Sequence, residues 1–135
     1  MILLVEDDFM IRVLHRHILE RFANGVPVQT ATDGLEALAA LRLRRNQPTL
    51  VLLDLNMPNM DGLAFLDAYL ALPFEERSRT QIIVLSASLM PQEKQRVREL
   101  GIRFEPKPLQ AALAEEIGSS LHLGVWEQAV AGQLL

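Results

Sequence analysis

The sequence predicts an α/β domain built on a parallel sheet with helices on both faces, and two observations carry that prediction. Five short apolar runs alternate with five longer segments of helical periodicity, a pattern typical of strands joined by right-handed helical crossovers. The third apolar run is hydrophobic without interruption, as expected for a strand buried on both faces. At 135 residues the chain is long enough for one domain with a substantial core.

The first half of the chain is predicted to contain two strands and two helices. Residues 2–6 and 26–30 form the strands, and Pro27 indicates an edge position or a strand start for the second. A helix over residues 9–22 follows Asp8, a good cap residue, and another begins with Asp33 and Glu36 in the spacing of a capping box and runs to about residue 45. The apolar stripe of the first helix consists of Ile11, Leu14, Ile18 and Phe22.

The second half is predicted to contain three strands and three helices. The strands cover residues 49–54, 81–86 and 102–105. Asp61 caps the third helix, which ends near Pro73, and Pro91 begins a polar fourth helix. The fifth helix covers residues 108 to about 121.

Composition excludes several classes of protein. The net charge of −4 argues against a nucleic-acid binder. No apolar run approaches the length of a membrane span, and the opening MILLV is too short for the core of a signal peptide. Because the chain has no cysteine, disulfides and thiolate metal sites are excluded. We therefore expect a soluble cytoplasmic domain.

Polar groups follow four of the predicted strands. Ligands of open parallel sheets bind beyond the carboxyl ends of the strands, so these groups should converge on one edge. They are Glu6 and Asp7 after the first strand, Asp54 after the third, Ser86 at the end of the fourth and Lys107 after the fifth.

The convergence of three carboxylates requires an explanation. Each like-charge pair at about 4 Å costs several kcal/mol at an effective dielectric constant near 20, and a divalent cation would offset that cost. An all-oxygen site without His or Cys suits Mg²⁺. With Mg²⁺ and Lys107 neutralising phosphoryl oxygens and Ser86 donating a hydrogen bond, the pattern indicates phosphoryl transfer. Asp54 is the candidate nucleophile, since carboxylates form aspartyl phosphates.

Four motifs in register resemble the receiver domain of two-component response regulators, over about residues 1 to 120. The motifs are ILLVEDD, LLDLNMPNMDG, VLSAS and EPKP. The resemblance implies a flavodoxin-like sheet of order 2-1-3-4-5 and phosphorylation by a sensor histidine kinase or a histidine phosphotransfer protein. It also implies residue roles: Glu6 and Asp7 as the metal pair, Asp54 as phospho-acceptor, Asn56 as a metal ligand through its backbone carbonyl, Ser86 as the switch hydroxyl and Lys107 as the phosphate-binding lysine.

The sequence departs from the family pattern at two positions. Glu6 stands where many receivers carry Asp, which lengthens one ligand without removing it. Phe104 stands where many carry a switch tyrosine, so switching should depend on packing, although Phe104 could equally be a plain core residue. By the same resemblance, we expect a cis bond between Lys107 and Pro108.

Other interpretations concern histidines and rival functions. His15 and His17 cannot share one helical face, and we expect them to be surface and flank residues of the helix rather than parts of a phosphorelay. A haloacid-dehalogenase-type phosphatase would need a second Asp at position 56, where this chain has Asn. A phosphate-independent pseudo-receiver would normally lack one of the acids or the lysine, and this chain keeps the full set.

The predicted receiver domain covers residues 1–121 and leaves an apolar tail at 122–135. Fourteen residues are too few for a DNA-binding or enzymatic output domain, so we expect either a stand-alone receiver that acts through protein contacts or a receiver cut from a longer protein. In both cases we expect no enzyme activity apart from the phosphorylation and dephosphorylation of Asp54. The tail, which includes Trp126, either folds back on its own domain or extends a homodimer built on the fourth helix, fifth strand and fifth helix. Asn56 and Ser88 are the candidates for setting phosphate lifetime.

Overall fold

The computed structural model describes residues 1–44, 47–57, 59–87 and 90–122. The strands are β1 (Ile2–Val5), β2 (Val28–Ala31), β3 (Thr49–Leu53), β4 (Thr80–Ser86) and β5 (Arg103–Pro106). The helices are α1 (Phe9–Phe22), α2 (Gly34–Leu43), α3 (Gly62–Leu70), α4 (Phe74–Arg77), α5 (Pro91–Glu99) and α6 (Ala111–His122). No helix in the described ranges is long and apolar enough to cross a membrane.

The strands form one parallel sheet of order β2-β1-β3-β4-β5, which confirms the predicted fold class and strand order. Val5 is in register with Leu53 of β3, and the Asp54 N–H donates to the Val5 carbonyl at 3.1 Å. As a result, β1 and β3 end side by side, and the acidic residues that follow them enter the same edge of the sheet.

The core has one layer on each face of the sheet. All five residues of β3 are buried, as its unbroken hydrophobicity predicted. Leu3 and Val5 belong to the layer that contains Phe65 of α3. Ile2 and Leu4 belong to the opposite layer, under α1 and α6. This alternation follows from the two-residue repeat of a strand.

Helix α4 is the element that the prediction of five helices lacked. It is a single turn that begins after Pro73, with Glu75 and Glu76 in its first turn, where the helix dipole favours acidic side chains. A four-residue helix is too short to produce an apolar repeat, so only Pro73 marked its position in the sequence.

Three predicted caps are confirmed. The carboxylates of Asp8, Asp33 and Asp61 accept hydrogen bonds from the backbone N–H groups of Ile11, Glu36 and Ala64 at the starts of α1, α2 and α3. The box at α2 is modified, because Glu36 accepts from the N–H and the hydroxyl of Thr32. Each cap satisfies backbone donors that a helix start leaves free.

The buried face of α1 differs from the predicted stripe. Leu14, predicted to be in the core, is 49% exposed, whereas His15 is 1% exposed, so the prediction of a surface His15 was wrong. Buried Leu19 lies one turn further along. His17 is exposed as predicted. The imidazole of His15 accepts a hydrogen bond from the Leu109 N–H at 3.2 Å, which explains how a polar ring is tolerated among apolar side chains.

The burial of His15 makes the stability of the protein depend on pH. Loss of hydration, followed by the positive charge of Lys107, lowers the pKa of His15 to about 4 from its ordinary 6.5. The folded state therefore favours the neutral ring. The contribution of His15 to the free energy of unfolding is fully present above pH 6.5 and is lost as the pH falls towards 4. Between pH 7.5 and 5 we expect the free energy of unfolding to drop by about 2 kcal/mol through this group.

Urea unfolding at several pH values measures that drop. His15→Gln has no group at position 15 that titrates in this range. In this variant the change in the free energy of unfolding between pH 7.5 and 5 should largely disappear. An equal slope in both proteins would assign the pH dependence to other groups.

Candidate functional site

Three carboxylates meet where β1 and β3 end. One oxygen from each of Glu6, Asp7 and Asp54 lies within 4.8 Å of the others. Glu6 and Asp54 are buried, with 2% and 5% exposure, and Asp7 is exposed. The predicted acidic cluster is therefore present, with two members inside the protein and one at its rim.

The start of α1 holds the acidic pair in place. The Arg12 guanidinium donates to the carbonyl oxygens of Glu6 and Asp7 at 2.9 and 3.2 Å. The Asp8 N–H donates to the Glu6 carboxylate at 3.2 Å. Although Asp7 is exposed, loss of part of its hydration raises the pKa of its carboxyl group, and the neighbouring Glu6 adds to the rise. Arg12 was not identified from the sequence, because an arginine one turn into a helix resembles any solvated cation.

Lys107 enters the acidic cluster from the opposite side. Its ammonium group forms a short ion pair with Glu6 and lies 3.3 Å from an Asp54 oxygen. Its side chain is only 12% exposed. The cluster therefore brings three carboxylates together with the Lys107 ammonium, and the Arg12 guanidinium is bonded to the backbone of two of the three acidic residues. The pairing of Lys107 with Glu6 was not predicted, since the sequence analysis assigned Lys107 only to the phosphoryl oxygens.

The turn that carries Lys107 is fixed on β4. The Lys107 N–H donates to the Ser86 carbonyl at 3.2 Å, and Ser86 is buried at the end of its strand. The bond between Lys107 and Pro108 is cis, as predicted. Ser86 and Lys107 therefore reach the same edge of the sheet as the acids.

Phe104 lies on β5 in register with Val84 of β4. It is partly buried and packs against the core layer that contains Val84. The Lys94 ammonium lies 5.6 Å from the centre of its ring, within cation–π range. Phe104 therefore combines a core contact with a charged contact to α5.

The loop after β3 contains Asn56, which is exposed. Its far end is attached to α2: the Asn59 side-chain amide donates to the Asp33 carboxylate at 2.9 Å, and the Gly34 N–H donates to the Met60 carbonyl at 3.1 Å. Asn59 has a φ of 63°, a conformation that Asn tolerates better than most residues. Ser88 lies outside the described residues, so its predicted role is untested.

This arrangement has the chemistry of a phosphoryl acceptor. Asp54 offers a carboxylate oxygen, the ammonium of Lys107 can neutralise an anionic oxygen, and the flanking acids offer hard oxygen ligands. Among the described residues, Glu6, Asp7 and Asp54 lie close enough together to bind one metal ion.

Comparison with known proteins identifies the family to which the sequence is similar. Residues 2–113 match the family described as the response regulator receiver domain. The chain is 36% identical over 121 residues to protein-glutamate methylesterase/protein-glutamine glutaminase 6 of Anaeromyxobacter dehalogenans, covering 84% of this chain and 31% of that protein. Among the curated relatives compared, the matched segment is 17% to 36% of the relative's own length.

Solved receiver structures are similar over nearly the whole chain. A response regulator receiver domain from Rhodospirillum rubrum is 29% identical with a TM-score of 0.72, covering 92% of this chain and 93% of the other. The chemotaxis response regulator CheY4 of Vibrio cholerae is also 29% identical, with a TM-score of 0.69, covering 89% and 96%.

Proposed function

This chain belongs to the response regulator receiver domain family, and from that premise we propose that it accepts a phosphoryl group on Asp54. The donor is the phosphohistidine of a sensor histidine kinase or of a histidine phosphotransfer protein. The observation that carries the proposal is the position of Asp54: a nearly buried carboxylate between two further acids and one ammonium group.

The transfer step uses one oxygen of Asp54. That oxygen attacks the phosphorus atom, a P–O bond forms, the P–N bond to the donor imidazole breaks, and the imidazole leaves with a proton from solvent. Lys107 neutralises an anionic oxygen of the incoming group. The product is an aspartyl phosphate, and the chain acts on no separate substrate.

The acidic cluster fits Mg²⁺. Glu6, Asp7 and Asp54 supply hard oxygen ligands with the required spacing, and the Asn56 carbonyl is proposed as a further ligand. When bound, Mg²⁺ would neutralise negative charge on the phosphoryl oxygens. The close grouping of three carboxylates supports a divalent cation.

Switching is proposed to use Ser86 and Phe104. Ser86 would turn its hydroxyl towards the phosphoryl group, and the ring of Phe104 would move into the vacated space. The contact of Phe104 with Lys94 on α5 gives the ring a neighbour outside the core, so its movement would alter the α5–β5 surface. A homodimer through α5, β5 and α6 remains a prediction. Its extension by the tail falls on residues 123–135, outside the described part of the chain.

The first turns of α1 support docking of the phosphodonor. Four large apolar side chains on this helix are 49% to 73% exposed: Phe9, Met10, Val13 and Leu14. The first of them, Phe9, follows Asp7 of the acidic cluster by two residues. Such a patch is typical of a protein interaction surface, and a donor seated there would lie next to Asp54. We also propose that residues 1–121 form the receiver unit and that the protein is located in the cytoplasm.

Intact mass spectrometry after incubation with acetyl phosphate tests the proposal. With Mg²⁺ the chain should gain the mass of one phosphoryl group, and with excess EDTA the gain should nearly vanish. A pseudo-receiver would gain nothing in either condition, and a phosphatase would release inorganic phosphate continuously without a lasting adduct. Either of those results would overturn the proposal.

The ion pairs of Lys107 predict its effect on metal binding. The Lys107 ammonium lies 3.3 Å from an Asp54 oxygen, so it would oppose binding of a divalent cation to the same acids, at a cost of several kcal/mol at an effective dielectric constant near 20. After allowance for screening, Lys107→Met should raise Mg²⁺ affinity about tenfold or more. Lys94→Met removes the other lysine of the chain and should leave the affinity unchanged. Calorimetric titration compares them, and equal affinity in both variants would contradict competition between Lys107 and the metal.

A further inference from the structure

We propose that His15 is a positioning residue that fixes the turn carrying Lys107. The inference rests on the proposed function for what Lys107 does, and on hydrogen bonding for how it is held. His15 is 1% exposed on α1, and its Nε2 accepts from the Leu109 N–H at 3.2 Å. An accepting Nε2 places the proton of the neutral ring on Nδ1, and Nδ1 has no hydrogen-bond partner among the described residues.

The backbone donors of the turn show why this contact matters. Pro108 has no N–H, so Lys107 and Leu109 supply the donors of the three-residue turn. The Lys107 N–H binds the Ser86 carbonyl on β4, and the Leu109 N–H binds His15. The turn is thus attached to the sheet on one side and to α1 on the other, and the second attachment is a single side chain.

Helix α1 also holds the acidic pair. Arg12, three residues before His15, donates to the carbonyls of Glu6 and Asp7. One rigid helix therefore bonds both to the loop that presents Glu6 and to the turn that presents Lys107. Because the Lys107 ammonium lies between Glu6 and Asp54, the His15 bond sets where that charge lies relative to both carboxylates.

A purely space-filling role for His15 makes a different prediction from a positioning role. Leu fills a similar volume without an acceptor, whereas the Oε1 of Gln can accept from the Leu109 N–H in place of Nε2. If His15 only fills space, Leu should serve as well as Gln. If His15 positions the turn, only Gln should preserve the position of Lys107.

Competitive acetylation of the two lysines with acetic anhydride, read by peptide mass spectrometry, distinguishes the roles without phosphorylation. Lys94 serves as the internal reference. In His15→Leu the ratio of Lys107 to Lys94 labelling should rise about threefold or more, because the released turn opens more often. In His15→Gln it should stay near the wild-type ratio. If His15→Leu does not fold, as judged by circular dichroism, His15→Met replaces it, since a thioether is a weak acceptor.

An unchanged ratio in the apolar variant, or an equal rise in the Gln variant, would overturn the positioning role. Acetyl phosphate uptake provides a second readout: His15→Leu should slow uptake in the wild-type background but cause no further slowing in Lys107→Met. Slowing by the same factor in both backgrounds would also overturn it. Failure of the proposed function is separate, because it would appear as no uptake by the wild type while the labelling ratio still decided the role of His15.

Discussion

Asp54→Asn is expected to abolish phosphoryl uptake from acetyl phosphate while leaving the fold intact. The amide has nearly the shape of the carboxylate but lacks a nucleophilic oxygen anion, so no aspartyl phosphate can form. Folding should survive, because Lys107 keeps its ion pair with Glu6 when the charge on residue 54 is removed. Intact mass spectrometry measures uptake, and circular dichroism checks the fold.

The matched control for this variant is Asp67→Asn. Asp67 is an exposed carboxylate on α3, and it pairs with Arg96 at the surface. Its loss should leave uptake at the wild-type level, since exposed ion pairs contribute little. Full uptake by Asp54→Asn would remove Asp54 from its central role, and loss of uptake in both variants would point to a general effect of charge.

Gly62→Ala is expected to destabilise the protein and slow uptake together. A Cβ atom at this position would lie 2.5 Å from the Asp54 carbonyl oxygen and 2.6 Å from the Leu55 Cα, and backbone atoms cannot move aside as a flexible side chain can. We expect a loss of about 2–3 kcal/mol. Relief of the clash would shift the loop that presents Asp54, so uptake should slow even where the variant is fully folded.

Gly101→Ala separates this clash from the general cost of replacing glycine. Gly101 has a φ of 72° and nothing within 4 Å of the added Cβ, so its replacement costs only backbone strain, about 1 kcal/mol. Urea unfolding compares the two variants. Stability of Gly62→Ala equal to that of the wild type, with normal uptake, would contradict the close approach of α3 to Asp54.

The sequence predicted the site because parallel strands impose a simple geometry. Any residue that follows a strand of such a sheet reaches the same edge, so Glu6, Asp54 and Lys107 could be grouped without knowing a distance. The strands were also predictable, because a buried strand such as β3 is apolar throughout. The same rule placed Ser86 at that edge.

The features that the sequence did not predict depend on side-chain direction. The burial of His15 was missed because an apolar stripe is counted from apolar residues, and here a histidine occupies the stripe while Leu14 faces solvent. The link between Asp33 and Asn59 joins residues far apart in sequence through one amide proton. Only the packed structure brings such partners together.

Chemical location of the phosphoryl group tests the central claim most directly. Borohydride reduces an aspartyl phosphate to homoserine with release of phosphate, so the modified position carries a permanent mark. After treatment with acetyl phosphate and Mg²⁺, followed by borohydride, tandem mass spectrometry of the peptides should find homoserine at position 54 and aspartate at positions 7, 8 and 61. Homoserine at one of those other positions, or no homoserine in a protein that had gained phosphate, would contradict the assignment of Asp54 as the phosphoryl acceptor.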